Sequence, residues 1–151
     1  MSSTDAEFQE YHKKLYDLGI NLRRQVVGDA YVDNALAGGS SDFGRPMQEL
    51  VTEHCWGDVW TRPGLERKLR SLLNIGMLCA LNRGPELHGH VRGGINNGLK
   101  PIEIREAILQ VAIYCGMPSG LEGFKIAEKV IREMIAKGEY KPEKGEWDSI
   151  E

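Results

Sequence analysis

An acid and a histidine one helical turn apart are the feature of this sequence that most directly suggests chemistry. Glu86 precedes His90 by four residues, a spacing that places two side chains next to each other on one helix face. A carboxylate in that position would orient the imidazole ring and favour its protonated form, so His90 could donate a proton. In the other interpretation, His90 is a core histidine whose ring forms a hydrogen bond with Glu86 or with a backbone carbonyl. From the spacing alone, this structural interpretation is the favoured one.

Three glycines surround this histidine. Gly89, Gly93 and Gly94 remove side chains around His90, and a glycine inside a helix costs about 1 kcal/mol relative to alanine. The missing side chains would leave either space for a ligand or room for a second helix to approach closely. Close helix packing is the more common reason, so the glycines alone do not predict a cavity.

Cationic and aromatic residues elsewhere in the chain could bind an anion. Arg70 lies one turn before the apolar stretch of a predicted helix, where it could hold a carboxylate through two hydrogen bonds or be a solvated surface group. Trp56 and Trp60 are one helical turn apart, with Arg62 just beyond them. They could form a rigid apolar wall with a cation at one end, although aromatic packing in the core is the more common role.

The remaining histidines and the cysteines form no metal or redox motif. His88 and His90 diverge because they are two residues apart on a helix. His54 is expected to be structural or exposed, and His12 to be exposed. The chain has no CxxC pair, so we expect three free thiols: Cys55, Cys79 and Cys115.

The composition limits the functional classes. With 151 residues, 41% of them hydrophobic, the chain suits a single compact domain. A formal net charge of -3 does not favour nucleic acid as a partner. The polar N-terminus does not resemble a secretory signal and no segment has the length of a membrane span, so we expect a cytoplasmic protein. The motifs of serine hydrolases, phosphate-binding loops and zinc proteases are absent from the sequence.

Hydrophobic periodicity predicts helices throughout the chain and no strands. The first helix is expected at residues 5–18, with Gly19 as its stop. Two short helices should follow at 22–27 and 30–37, separated by Gly28. This region is expected to wrap around the main core.

A second group of helices begins at Pro46. The first of them should bury one stripe of side chains, formed by Met47, Leu50, Val51, His54 and Cys55. Residues 65–81 should form a central helix that is buried on most sides. The next helix, which starts at Pro85, should carry His90 on its buried face.

The last two helices start at Pro101 and Pro118 and should pack in antiparallel fashion. Their expected inward residues are Ile104, Ile108, Val111 and Cys115 in the first helix and Phe124, Ala127, Ile131 and Met134 in the second. From about residue 138 the chain is charged and should form a loose tail, in which Trp147 could anchor on a neighbouring subunit. The sequence therefore predicts one all-α domain, 1–151, of about six to eight helices with an antiparallel core.

Four segments stand in an order typical of one enzyme family: WGDVWTRPGL, RSLLNIGMLCALNR, ELHGHVRGGINNG and EIREAILQVAIYCGMP. Through them the chain resembles the γ-carboxymuconolactone decarboxylases over about residues 15–133. The resemblance implies an all-helical fold shared with the AhpD-like peroxidases, a homo-oligomer that is a trimer or a hexamer, and sites near subunit boundaries. The peroxidase branch carries a CxxC pair, which this sequence lacks.

The resemblance also implies a decarboxylation that needs no metal or other cofactor. In 4-carboxymuconolactone the departing carboxylate is on the ring carbon γ to the unsaturated lactone carbonyl, so the lactone itself accepts the electron pair. The enzyme has to stabilise the dienolate, hold the acetate arm and return a proton, which gives the enol-lactone of 3-oxoadipate in protocatechuate breakdown. On this chain, the implied proton donor or oxyanion stabiliser is His90, with Glu86 orienting it and Arg70 binding a carboxylate. The implied wall consists of Trp56, Trp60 and Arg62.

Several positions depart from the family pattern. Gly93 and Gly94 stand where the decarboxylases usually have alanines, and Lys125 replaces a histidine that is typical of the last helix. The chain could therefore be a paralogue that acts on a different small acid or lactone. Two other hypotheses are an AhpD-like thiol peroxidase and a non-catalytic oligomer that binds a small acid.

Overall fold

The structure, a computed structural model, describes residues 3–146. Within these residues it contains seven α-helices, one π-helical segment and no strand, which confirms the all-α prediction. The elements are α1 (Ser3–Val27), α2 (Asp29–Gly38), α3 (Arg45–Leu50), π1 (Val51–Val59, the π-helical segment), α4 (Arg67–Ala80), α5 (Gly84–Asn96), α6 (Pro101–Cys115) and α7 (Met117–Ala136). Among the described helices, none has the length and apolar character needed to cross a membrane. Trp147, the suggested anchor, lies outside the described residues.

The chain divides into two compact units, Met1–Leu65 (unit 1) and Glu66–Glu151 (unit 2). Unit 1 contains α1 to α3 and π1, and its core joins aliphatic side chains of α1 and α2 to two tryptophans. Unit 2 contains α4 to α7 and has a core of aliphatic side chains from all four helices. Each unit therefore buries its own set of apolar side chains.

Helix α1 is longer than the predicted 5–18, because Gly19 does not end it. A Cβ atom at Gly19 would lie 1.9 Å from the carbonyl oxygen of Thr52, so this glycine lets the backbones of α1 and π1 touch. The predicted helix at 22–27 is consequently the last part of α1. The predicted break at Gly28 is confirmed, with a φ of 90° that favours glycine.

The π-helical segment changes which residues of unit 1 face inward. The N–H of Trp60 donates to the carbonyl of Cys55, five residues earlier, at 3.0 Å, so the turn is wider than in an α-helix. The buried residues of this region are Thr52, Trp56, Gly57 and Trp60. The predicted stripe is wrong at Met47 and Leu50 of α3 and at His54 of π1, which are exposed. At His54 the α-helical periodicity that the prediction assumed no longer applies, because the turns of π1 are wider.

The helices of unit 2 follow the α-helical periodicity of the sequence. Helix α6 packs against α4 and α7. Its buried residues Ile104, Ile108 and Val111, and the buried Ala127, Ile131 and Met134 of α7, were all expected to face inward. Cys115 was also expected to be buried, but it is exposed because α6 ends there.

One ridge of α4 is exposed, although the sequence predicts that this helix is buried on most sides. Leu69, Leu73 and Met77 recur every four residues, and 46–55% of each is exposed. Helix α4 contacts α5, α6 and α7 within unit 2, so it carries more apolar residues than these three helices cover. The ridge borders a groove of about 600 Å³ between α4 and α6.

Residues that follow α7 contact the start of α6. Lys100 forms ion pairs with Glu143 at 3.0 Å and with Glu146 at 2.9 Å. Tyr140 donates a hydrogen bond of 2.8 Å to the Glu146 carboxylate, and the backbone N–H of Glu143 donates to the same carboxylate at 2.9 Å. Charged and polar contacts therefore attach the described part of the predicted tail to the rest of unit 2.

Candidate active site

A seam of polar side chains runs between α4 and α5 in unit 2, and it includes the predicted histidine. The side-chain nitrogen of Asn74 lies 3.5 Å from Nδ1 of His90, at the outer limit of a hydrogen bond. Because the amide N–H donates in this orientation, a neutral imidazole would carry its proton on Nε2. His90 is half-buried, which suits a group that must meet a small molecule while its ring is held in place.

The same seam contains a second polar pair. Asn97 donates a hydrogen bond of 3.0 Å to the buried hydroxyl of Ser71. Beside it, a Cβ atom at Gly94 would lie 2.9 Å from Leu99 and 3.1 Å from Ile75. Gly94 therefore allows close packing and does not leave space for a ligand, which decides between the two interpretations of this glycine.

The other two residues predicted in unit 2 flank this pair. Arg70 is half-buried and lies one turn before Asn74 on α4, a spacing that puts both side chains on one helix face. Glu86 is exposed in the first turn of α5, and the described contacts include no hydrogen bond or ion pair between it and His90. Asn74, which sequence reasoning did not identify, is thus the residue of α4 that contacts the His90 ring.

The predicted aromatic wall belongs to unit 1. Trp56 and Trp60 stack with ring centroids 4.8 Å apart and an interplanar angle of 27°. Only 4% of each residue is exposed, and both pack against Leu22 and Val26 in the core of unit 1. Arg62 follows π1 and is exposed. The packing role is therefore observed for both tryptophans, while a contact with substrate stays a prediction.

A second histidine of unit 1 has a carboxylate partner that the sequence analysis missed. Nδ1 of His12 lies 2.5 Å from a carboxylate oxygen of Glu53, and His12 is half-buried instead of exposed. The pair is separated by 41 residues, so no local spacing could have revealed it. His54 is exposed, which agrees with one of its two expected roles and not with a place in the inward stripe, and His88 lies 3.6 Å from Glu133 of α7.

The cysteines do not support thiol chemistry. All three are free. Burial raises the pKa of the Cys55 and Cys79 thiols, which lowers the fraction of the nucleophilic thiolate at neutral pH. Among the described residues, no group of three or more histidines, cysteines or carboxylates is arranged to hold a metal ion.

Comparisons with known proteins agree with the motifs of the sequence. A profile of the carboxymuconolactone decarboxylase family matches residues 45–129. Nitrosuccinic acid decarboxylase npaB of Metarhizium robertsii is 50% identical over 139 residues, which cover 92% of this chain and 96% of that protein. The 4-carboxymuconolactone decarboxylase of Acinetobacter baylyi is 37% identical over 119 residues, which cover 79% of this chain and 88% of that protein.

Proposed function

Because the chain belongs to the carboxymuconolactone decarboxylase family and is a carboxy-lyase, we propose that its substrate is a small dicarboxylate, with nitrosuccinate as the first candidate. The observation that carries this choice is the 50% identity to a nitrosuccinic acid decarboxylase along nearly the whole length of both chains. The departures from the family pattern at Gly93 and Lys125 also favour a substrate other than the lactone. The lactone 4-carboxymuconolactone is the second candidate, supported by the relative of A. baylyi.

The two candidate substrates share one chemical pattern. In each, the carbon that carries the departing carboxylate also carries an acetate arm and is linked to an electron acceptor. In nitrosuccinate the C–C bond to the carboxylate breaks, carbon dioxide leaves and the electron pair moves onto the nitro oxygens as a nitronate. A proton then returns to the carbon and gives 3-nitropropanoate. The substrate supplies its own electron sink, so the protein has to hold two carboxylates, stabilise an oxyanion and deliver a proton.

The seam between α4 and α5 provides groups for these tasks. His90 is the proposed proton donor or oxyanion stabiliser, and Asn74 is a positioning residue that fixes its ring. Arg70 is proposed to bind the carboxylate of the acetate arm. Glu86, at the start of α5, is proposed to add negative charge that favours the imidazolium form. The contacts of Trp56, Trp60 and Arg62 with substrate remain expectations from the family resemblance.

The direct test is to offer both substrates to the purified protein. Carbon dioxide release and product identity would be measured with nitrosuccinate and with 4-carboxymuconolactone at equal concentrations. We expect kcat/KM for nitrosuccinate to be at least about 100-fold higher, which is the discrimination that a well-fitted pocket achieves. The reverse ratio would assign the lactone, and no carbon dioxide from either compound would rule out both substrates.

The exposed ridge of α4 supports a homo-oligomer, as the family resemblance implies. Apolar side chains that recur along one helix and border a groove are typical of a subunit interface. We expect Leu73→Asp to reduce the molecular mass in solution, measured by light scattering, towards that of the monomer. Leu18→Asp, at an exposed leucine of α1, is the matched control and should leave the mass unchanged.

A further inference from the structure

Arg23 and Arg24 are neighbours on α1 but differ in whether a carboxylate compensates their charge. Arg24 has 33% of its side chain exposed and donates to the carboxylates of Asp29 at 3.0 Å and Asp33 at 2.7 Å. Arg23 is only 6% exposed, yet no carboxylate contacts it among the described residues. A buried charge normally has an opposite charge beside it, because its removal from water is unfavourable. Within the described part of this protein the buried arginine, Arg23, lacks a carboxylate partner, whereas the more exposed Arg24 has two.

The groups around Arg23 do not neutralise its charge. Its Nη1 donates to the amide oxygen of Gln48 at 3.1 Å and to the hydroxyl of Thr52 at 3.4 Å. Both acceptors are uncharged. Tyr31 and Cys55 also act on it electrostatically, but both are neutral near pH 7. Burial lowers the pKa of the Arg23 guanidinium, although an arginine stays protonated at neutral pH. Unit 1 therefore contains a buried positive charge without compensation from the described residues.

The hydrogen bonds that Arg23 does make leave one edge of its guanidinium without an acceptor. Gln48 and Thr52 occupy Nη1. Nε is buried and has no hydrogen-bond partner, and the described contacts give Nη2 no acceptor either. Nε and Nη2 together form the edge that binds both oxygens of a carboxylate side-on. Gln48 and Thr52 bond to Nη1 alone, so the Nε–Nη2 edge is the part of the guanidinium that is left for such a ligand.

We propose that Arg23 is an anion-binding residue that takes a small carboxylate on its Nε–Nη2 edge. One guanidinium edge among uncharged neighbours matches a single negative charge, as a carboxylate carries, better than a phosphate dianion, which needs more donors. The carboxylate could belong to the substrate or to a separate small acid that stabilises the protein. The binding edge of Arg23 and its neighbours suits a carboxylate of either candidate substrate.

Succinate is a suitable probe, and the fluorescence of Trp60 can report on the site. The Cys55 thiol interacts electrostatically with Arg23 and forms a hydrogen bond with the Trp60 side chain. An anion that binds to Arg23 should therefore change the surroundings of Trp60 and its fluorescence. In a Trp147→Phe background the remaining tryptophans of the chain are Trp56 of π1 and Trp60, which directly follows π1. Titration with succinate at constant ionic strength would then give a dissociation constant, and calorimetry would confirm it.

The variants compare Arg23 with its neighbour. Arg23→Met should weaken succinate binding at least about tenfold, because charge-assisted hydrogen bonds are lost, and Arg23→Lys should weaken it less. Arg24→Met, the matched control, should bind as the parent does. Without succinate, Arg23→Met should have a Tm equal to or above that of the parent, because an uncompensated buried charge has been removed.

Unchanged succinate affinity in Arg23→Met would overturn the proposal. A Tm well below that of the parent, together with an unchanged fluorescence response to succinate, would also overturn it. If Arg23→Met does not fold, unchanged succinate affinity in Arg23→Lys would equally overturn the proposal.

Steady-state kinetics then identifies the source of the carboxylate. Competitive inhibition by succinate that Arg23→Met abolishes would assign the substrate's carboxylate. Noncompetitive behaviour would assign a separate acid, and in that case kcat/KM of Arg23→Met should stay within about threefold of the parent value.

Discussion

The two units of this protein differ in how their buried polar side chains are partnered. In unit 2 the polar side chains between α4 and α5 pair with one another, Asn74 with His90 and Asn97 with Ser71. In unit 1 the backbones of α1 and π1 touch at Gly19, and the nearby buried cation, Arg23, is held by uncharged acceptors. The polar groups of the seam are thus paired with each other, whereas Arg23 has no charged partner among the described residues.

This difference separates two kinds of site. The seam in unit 2 presents a half-buried imidazole in contact with the Asn74 side chain, which suits proton transfer. The environment of Arg23 in unit 1 supplies charge and shape but no titratable partner, which suits binding. π-Helical segments are often found at functional sites, and a buried cation next to one agrees with that tendency.

The largest effect should come from the seam. We expect His90→Gln to reduce kcat about 10²- to 10⁴-fold, because the variant removes the proposed proton donor while it keeps a similar volume. The decarboxylation assay measures kcat, and circular dichroism checks that the fold persists. His88→Gln, two residues earlier on α5 and paired with Glu133, should stay within about twofold. A normal kcat in His90→Gln would reduce the seam to a structural feature.

The contact between α1 and π1 should be the most sensitive part of unit 1. Gly19→Ala would place a methyl group 1.9 Å from the carbonyl oxygen of Thr52, so we expect a loss of roughly 3 kcal/mol or more in the free energy of unfolding. Gly38→Ala is the control, since nothing lies within 4 Å of its added Cβ, and it should change stability by less than about 1 kcal/mol. Equal unfolding curves for both variants would show that the close backbone contact is not what holds unit 1.

Asn74 should have an intermediate effect that a structural role would not produce. Asn74→Leu keeps the volume but loses the contact with His90, so we expect kcat to fall about tenfold. Asn74→Asp should place a carboxylate beside the ring and favour the imidazolium form. The alkaline limb of the pH profile of kcat should therefore move to higher pH in Asn74→Asp. If both variants changed only stability and left the pH profile in place, Asn74 would not position His90.

The comparison of the units also explains what could be predicted from the sequence. The helices of unit 2 and most of their inward residues follow from α-helical periodicity, because α4 to α7 are regular. The inward residues of π1, where His54 is exposed, could not be predicted in this way, because π1 changes the number of residues per turn. Similarly, local spacing pointed to Glu86 as the partner of His90, whereas the ring contacts Asn74 of another helix. Partners from distant segments leave no local signal, although Asn74 could have been noticed as a polar residue one turn after Arg70.

The smallest effect concerns the charged contacts after α7, where unit 2 again compensates its charges. A backbone N–H from Glu143, Lys100 and the hydroxyl of Tyr140 lower the pKa of Glu146 from 4.5 to about 2. A carboxyl with a lowered folded-state pKa contributes stability above its ordinary pKa, and this contribution is lost as the pH falls from 4.5 towards 2.

Glu146→Gln should therefore have a lower Tm than the parent at pH 7, and the difference should shrink below about pH 4.5. Glu143→Gln, which removes only the other ion pair of Lys100, should give a smaller difference. A Tm difference for Glu146→Gln that stays constant from pH 7 to pH 3 would mean that packing, and not charge, attaches this segment. The ion pairs of unit 2 would then not stabilise the fold, and the contrast between the compensated charges of unit 2 and the uncompensated charge of Arg23 in unit 1 would be lost.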